Sequence, residues 1–497
     1  MKLELILWDD IFAYEIRELV TLFVSPANLI LKTDPSVHDK QPITVPGIMV
    51  VPENKTDGVQ FRVHMKTAEG EMNQQFTVPA DWRNNLLLKK ETKRLLKSAL
   101  FRFMQHIYPA NLPWGMLTGV RPVKLAHQLL LEHPEPEEIR KILQERYGVS
   151  RGKAALLTDI ALTQVPMLND IRRSGVSMYI GIPLCPSKCS YCSFISQPVK
   201  SNSDPLIEHY LQSLLIELNA ALTYLQQNQL EIDTLYIGGG TPSILNAEQI
   251  NRLFTVLAEK WPIQQIREIT FEAGRPDTLD EEKLKVLRSY PVSRLSINPQ
   301  TFHDSTLARI NRNHTVRDFT DCWDKAVAAG FDNINLDLII GLPGEGEQEV
   351  AQTLEQVERI RPDSLTVHAL AMKRRADLRN DLTVSGLTDH EAHRIMNRIY
   401  DFAVKNQLKP YYLYRQKEMA GRLENVGFAR DGKEGRYNIL MMEEKQTIIG
   451  IGAGAVSKQY FSATDRIKRI PNVKNIHVYM ERIAQTTAQY HQKWLDD

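Results

Sequence analysis

The sequence predicts an α/β protein: a partial barrel of six β/α units, with an α+β domain before it and an α+β region after it. Three observations lead there. From about residue 170, short apolar runs alternate with helical stretches, as in parallel βα units. At 497 residues the chain is too long for one ordinary core, so two or three domains are expected. Chemistry-bearing residues recur at the ends of the apolar runs, where an α/β barrel gathers its site.

Residues 1–165 read as an accessory α+β domain. A mixed helical start leads to strand-like runs at 43–52, 58–65 and 74–79. Leu87, Leu88, Leu95, Leu96, Leu100, Phe103 and Met104 then mark an amphipathic helix over 83–107. Its charges, Lys89, Lys90, Lys93, Arg94 and Lys97, read as a solvated face, and Pro109, Pro113 and Gly115 end it. Helical segments at 121–147 and 151–168 follow, and no catalytic constellation appears in this domain.

Residues 166–385 carry the barrel. Its strands are MYIGIPL, DTLYIGGG, EITFEAG, RLSINPQ, INLDLIIGLP and SLTVHALA. The helices between them fall within 204–227, 246–260, 280–288, 303–329 and 347–360. Right-handed crossovers would wind such units into an arc. A cysteine loop follows the first strand and Gly238-Gly239-Gly240 the second; Glu272 and Gln300 end the third and fourth. Asp337 lies in the fifth, and Ala371 closes the sixth. Residues 386–497 read as a substrate-cavity or capping domain, opening on a helix over 388–406 and running through YYLYRQK, YNILMM and TIIGIGAGAVSK. The three glycines of that last run, Gly450, Gly452 and Gly454, lack the unit of a nucleotide loop and instead suit close backbone packing at the barrel mouth.

Charge excludes several functions. With 61 Lys and Arg against 60 Asp and Glu, the chain lacks the basic field of a nucleic-acid binder. No apolar run approaches the roughly 20 residues of a membrane span, and Asp9 and Asp10 interrupt the place of a signal peptide. A cytoplasmic location is expected, where free thiols persist.

Those thiols are the strongest signal. Cys185, Cys189 and Cys192 lie in YIGIPLCPSKCSYCSF, spaced C-x3-C-x2-C, and are three of only four cysteines. A structural zinc wants four closed ligands, and no nearby Cys or His supplies the fourth. An iron–sulfur cubane held by three thiolates keeps one iron open. Cys322 borders the apolar face formed by Val316, Phe319, Trp323, Ala326 and Val327, and reads as a small buried filler.

The cysteine spacing followed by GGGTP resembles the radical S-adenosylmethionine (radical SAM) superfamily over about 178–371. The resemblance implies a [4Fe–4S] cluster on Cys185, Cys189 and Cys192. Its open iron would be chelated by the methionyl amine and carboxylate of S-adenosylmethionine, whose reductive cleavage yields a 5′-deoxyadenosyl radical. Read with RLSINPQTF, RINRN and LDLIIGLPGE, the chain further resembles the oxygen-independent coproporphyrinogen III oxidase group. Residues matching that group's S-adenosylmethionine contacts are Tyr179, Tyr191, Gly239, Gly240, Thr241, Glu272, Gln300, Arg312, Asp337 and Ala371. The long N-terminal region and YLYRQKEMAGRLENVGFA are similar to the HemZ-type branch.

That branch implies oxidative decarboxylation of two propionates of coproporphyrinogen III to vinyl groups, giving protoporphyrinogen IX. It also implies a reduced flavodoxin- or ferredoxin-type electron donor. Lys373, Arg374, Arg375, Arg379, Arg415 and Lys417 are the cations available to a tetraanionic substrate, and His368 could face the cavity. One position departs: Phe194 stands where the oxidase proper has a fourth cysteine, which is not a cluster ligand. Phenylalanine there is typical of haem-chaperone relatives, so haem binding on the same fold is the alternative.

Overall fold

The computed structural model describes residues 2–35, 47–68, 70–194, 196–200, 203–371, 387–416, 422–488 and 490–494. The chain divides into two compact units, Met1–Thr158 and Asp159–Asp497. The boundary falls inside the helix Arg151–Asn169.

The first unit is a five-stranded sheet built from β1 (Leu3–Leu7), β2 (Leu29–Thr33), β3 (Gly47–Lys55), β4 (Gly58–Thr67) and β5 (Gly70–Val78), in the order β2-β1-β3-β4-β5. Alternation in β1 buries Leu3, Leu5 and Leu7. The helix Leu86–Ile107 buries Leu96, Ala99, Leu100, Phe103 and Met104 in the same core. It starts three residues later than its periodicity suggests, because the Asn85 side chain accepts from the Leu87 and Leu88 N–H groups and caps it. The segment 121–147 is two helices, Val123–Glu132 and Pro136–Tyr147, since a proline suits the first turn of a helix and not its interior.

The second unit is one eleven-stranded sheet with a two-stranded ribbon beside it. Its strands are β6 (Gly175–Ile182), the short β7 (Leu184–Cys185) and β8 (Gln197–Pro198), then β9 (Glu231–Gly239), β10 (Glu268–Gly274), β11 (Arg294–Ile297), β12 (Ile334–Ile340) and β13 (Ser364–Ala369). β14 (Lys409–Tyr414), β15 (Asn425–Ala429), β16 (Thr447–Ile451), β17 (Val456–Phe461) and β18 (Arg466–Pro471) complete it. β6, β9, β10, β11, β12 and β13 pair in parallel, giving the six-stranded arc. Strands buried on both faces explain their near-continuous apolar sequences. The intervening helices begin on side-chain caps: Asp204, Asp280, and capping boxes at Asn246 and Thr315.

Both edges of the arc are covered by late sequence. β15 pairs antiparallel with β13, and β16 pairs parallel with β6. Residues 386–497, set apart in the sequence reading, thus extend the barrel's own sheet. Gly452 permits this closure. It has φ +96°, and a Cβ there would lie 2.3 Å from the Gly181 carbonyl oxygen. Helical residues 303–329 form two helices, Asp304–Arg309 and Val316–Ala328. In the second, Phe319, Cys322, Trp323 and Ala326 are buried while Val327 is half exposed, so the apolar face is narrower than its sequence suggests. Burial pushes the Cys322 thiol up to about 12, the state of an inert filler.

One buried polar cluster fixes the helix Arg436–Glu443 against the arc. The Arg436 and Tyr437 N–H groups donate to the Glu268 carboxylate at 2.6 and 2.9 Å. Arg436 Nε donates to Asp233 Oδ2 at 2.9 Å, and Arg267 Nε lies 3.3 Å from the other oxygen. Removing Arg436 leaves the fully buried Asp233 with Arg267 as its one remaining cation among the described residues and a hydrogen bond from Gln446 Nε2 at 3.2 Å. Arg436→Met should therefore lower unfolding stability by about 3 kcal/mol, read as a shifted denaturant midpoint.

Candidate functional site

The cysteine loop is shaped by hydrogen bonds from three directions. β7 and β8 pair across its base, and the Val199 N–H donates to the Cys185 carbonyl at 2.9 Å. The Ser190 N–H reaches the Ile310 carbonyl at 3.1 Å, and Asn311 Nδ2 reaches the Lys188 carbonyl at 2.7 Å. Arg275, ion-paired with Asp277 at 2.8 Å, donates to Ser187 Oγ at 2.7 Å. Pro186, Ser187 and Lys188 thus make a pinned excursion outside any helix.

The glycine turn after β9 lies directly against this loop. The Gly240 N–H donates to the Ile182 carbonyl and the Thr241 N–H to the Leu184 carbonyl, both at 2.8 Å. A Cβ on Gly240 would meet the Leu184 carbonyl at 2.5 Å and Cys185 Sγ at 2.9 Å; one on Gly238 would meet Glu272 Oε2 at 2.5 Å. Thr241 Oγ1 sits 3.5 Å from Cys185 Sγ.

Tyr179, Cys185, Cys189, Tyr191, Cys192, Gly239, Gly240, Thr241, Glu272, Gln300, Arg312, Asp337 and Ala371 all line one cavity of about 820 Å³. Two of them carry polar atoms that the protein does not satisfy. Gln300 has φ +71°, a conformation unusual for a residue with a side chain, and its buried Oε1 has no partner among the described residues. Arg312 spends Nη1 on the Tyr191 hydroxyl (2.9 Å) and Nη2 on the Gly274 and Asn298 carbonyls (3.0 and 2.5 Å), while its buried Nε has no partner among the described residues. Buried groups left without partners are costly unless a ligand completes them.

The two acids of the cavity sit in opposite charge states. Burial, reinforced by the Asp337 charge, pushes Glu272 up to about 8. Burial also works against Asp337, but hydrogen bonding and charge from His368, with bonds from Asn335 and Thr366, outweigh it and hold that carboxyl below its usual range. His368 Nε2 lies 3.6 Å from Asp337 Oδ2, and its Nδ1 lies 3.3 Å from the Tyr414 hydroxyl. His368 therefore lines the cavity as part of a polar chain.

These residues fit a three-thiolate cluster with an organic ligand. Burial pushes the Cys192 thiol up to about 11 and raises Cys185, a setting in which a bound cation would favour the thiolates. Among the described residues no group of three or more His, Cys, Asp or Glu is arranged to hold a single metal ion. A cubane spreads its thiolates over separate irons and does not require them to converge on one. The missing Gly240 side chain lets the turn close directly against Leu184 and Cys185, and the Arg312 and Gln300 atoms without partners among the described residues supply one donor and one acceptor.

Sequence reasoning missed much of the lining. Tyr236 and Tyr437 stack with Tyr179 at centroid distances of 6.1 and 6.4 Å, and with each other at 4.6 Å. Tyr412, Tyr414, Asn298, Asn335 and Asn425 also face the cavity. Tyr236 sits in an apolar strand and Tyr437 in a short helix, and neither carries a local signal. Arg415 is not among the lining residues, and Lys373, Arg374, Arg375, Arg379 and Lys417 lie outside the described residues. Phe194 is 68% exposed and lines the cavity's rim.

A sequence profile of the radical SAM superfamily matches residues 179–357. The chain is 38% identical to the oxygen-independent coproporphyrinogen-III oxidase-like protein HemZ of Bacillus subtilis, over 80% of each chain. It is 30% identical to the heme chaperone HemW of Lactococcus lactis, over 61% of this chain and 74% of that one. Among solved structures, coproporphyrinogen III oxidase (HemN) of Escherichia coli shares the fold, with a TM-score of 0.52 and 22% identity over 66% of this chain and 73% of that one.

Two outcomes follow from the geometry. Glu272 keeps a proton in the native protein that the unfolded chain has released between the ordinary value of 4.5 and about 8. Stability from this group is therefore lost as pH rises through that window. Without ligand, Glu272→Gln should be more stable than the parent at pH 9, on the order of 2–3 kcal/mol after discounting for partial solvent access, and equal to it near pH 4, by thermal and denaturant unfolding. Gly240→Ala should fold yet retain far less iron and sulfide after anaerobic reconstitution, because its methyl group would occupy the space beside Cys185 Sγ.

Proposed function

The chain belongs to the oxygen-independent coproporphyrinogen-III oxidase-like group of the radical SAM superfamily, and on that premise we propose that it oxidatively decarboxylates two propionates of coproporphyrinogen III to vinyl groups, giving protoporphyrinogen IX. Its cofactors are a [4Fe–4S] cluster and S-adenosylmethionine. When bound, they supply abstraction of a hydrogen atom from an unactivated substrate C–H bond. Loss of carbon dioxide and of one electron to an acceptor would then leave the vinyl group, with a reduced flavodoxin- or ferredoxin-type protein as donor.

One observation carries this reading: three thiols share a cavity with a glycine turn and two incompletely satisfied buried side chains. Cys185, Cys189 and Cys192 would hold the cluster. Gly239, Gly240 and Thr241 would present backbone to the methionyl group, and Arg312 Nε would donate to its carboxylate. Gln300 Oε1, Glu272 and Asp337 supply acceptors for ammonium, ribose or adenine groups. Tyr179, Tyr191 and Ala371 would pack beside them, and the buried tyrosines would exclude water from the reacting carbon. The bond from Arg312 Nη1 to the Tyr191 hydroxyl supports this reading.

Phe194 and the HemW relatives favour a second reading, a haem-binding chaperone that keeps the cluster. The test is an anaerobic incubation of reconstituted protein with reductant, S-adenosylmethionine and coproporphyrinogen III, analysed for tetrapyrrole product. Protoporphyrinogen IX is expected, and Cys189→Ala should abolish it. Methionine release without decarboxylation would overturn the proposed substrate. Stoichiometric haem binding in a Soret titration, with no propionate loss, would establish the chaperone reading instead.

A further inference from the structure

The first unit carries a second, smaller cavity that the function above leaves unused. It measures about 290 Å³, and besides Glu91 it is lined on one side by Lys90, Lys93, Arg94 and Lys97. These positions fall at i, i+3, i+4 and i+7 of the helix Leu86–Ile107, so they share one face. Met116, Leu117 and Tyr147 form the opposite wall, and Leu87 lies at its edge.

That wall is built rather than incidental. Gly115 has φ +51°, and a Cβ there would lie 2.2 Å from the Tyr147 carbonyl oxygen. Only glycine allows the segment to run so close to the end of the helix Pro136–Tyr147. Two backbone bonds clamp the crossing, Met116 N–H to Tyr147 carbonyl at 3.0 Å and Ser150 N–H to Pro113 carbonyl at 2.8 Å.

The charges do not balance inside it. Lys93 is paired with Glu15 at 2.9 Å, and Arg94 is paired with Glu91 through two nitrogens at 2.5 and 2.7 Å. Lys97 has no ion pair among the described residues; its ammonium donates only to Thr118 Oγ1, at 3.2 Å. Lys90, at the exposed rim, likewise has no carboxylate partner. Burial, then the neighbouring Lys93, pushes Lys97 down to about 8, and the opposing pull of Glu15 and Glu18, neither of them ion-paired with it, does not offset this. A monocarboxylate would answer one of the two unpaired lysines. A dianion answers both, and the apolar wall would take a short organic group attached to it.

We propose that this cleft binds a phosphate monoester, its dianion held between Lys90 and Lys97 and its organic part laid against Met116, Leu117 and Tyr147. A free organic phosphate and an exposed lipid phosphate present the same chemistry. The full-length protein is titrated calorimetrically with inorganic phosphate and with glycerol 3-phosphate, and sedimented with phosphatidylcholine vesicles with and without phosphatidic acid. At least one phosphate probe should bind saturably, and Lys97→Met should weaken it about tenfold or more, the loss expected for one charge-assisted hydrogen bond. Lys89→Met, on the same helix but outside the lining, should not weaken it. Binding of glycerol 3-phosphate alone identifies a free metabolite; binding only to vesicles with phosphatidic acid identifies a lipid. No binding of any probe, or equal binding by Lys97→Met and Lys89→Met, overturns the proposal. If Lys97→Met does not fold, Lys90→Gln on the exposed rim carries the same comparison.

Discussion

The site depends on one steric constraint, the contact between the glycine turn after β9 and the backbone leading into the cysteine loop. Gly240 approaches the Leu184 carbonyl so closely that a single methyl group would overlap it. Two hydrogen bonds, from the Gly240 and Thr241 N–H groups to the Ile182 and Leu184 carbonyls, lock the approach. This seam fixes where Cys185 starts and how far its sulfur stands from Thr241. Arg275, just past β10, and Asn311, just past the helix Asp304–Arg309, fix the rest of the loop. A loop pinned this way by the surrounding fold leaves less ordering entropy to be lost when a ligand binds.

The second constraint is electrostatic. Two carboxyl groups that influence one another share a buried cavity, and the structure resolves the conflict by giving Asp337 the cationic neighbour, His368. Hydrogen bonds from the Gly239 N–H and the Tyr236 hydroxyl do not offset the burial of Glu272. A cationic ligand group would reverse that balance, because it favours the ionised form that burial opposes. Arg312 Nε and Gln300 Oε1, without partners among the described residues, leave the site incomplete in a second way. The site is stable in the folded chain while remaining incomplete, and its incompleteness matches a zwitterionic ligand with both an ammonium and a carboxylate.

Much of this was legible in the sequence, for identifiable reasons. Parallel strands buried on both faces leave apolar runs, and six such runs separated by helix-length segments leave little choice of architecture. Residues at the ends of those runs, from the cysteines to Ala371, needed no long-range information to be placed at one mouth. Elements set by distant contacts were not legible. β16 joins β6 across more than half of the second unit, and the Arg436 helix is fixed by Glu268 and Asp233, which no periodicity announces. The tyrosines followed suit: Tyr236 reads as an ordinary core residue of a strand, and only the arrival of Tyr437 from the late helix turns it into a wall. Val327 was misplaced for the opposite reason, since a helical face drawn from apolar spacing takes no account of what covers it.

Closure of the arc by β15 and β16 links these points. An arc of six strands has two free edges and an open side, and both edges here are paired with strands from the last quarter of the chain. The same late segments bring Tyr412, Tyr414, Asn425, Tyr437 and Met441 to the cavity. Cofactor-facing groups therefore come from the strand ends of the arc, whereas the remaining wall comes from the elements that close it. Chemistry and selectivity can then vary separately: a change at Gly240 acts on the cluster, while a change at Tyr437 acts on what lies beside it. Phe194 stands where the two meet, two residues from Cys192 and exposed at the rim. A substitution there changes the rim of the cavity while leaving the thiols, the glycine seam and the Arg312–Tyr191 bond as they are.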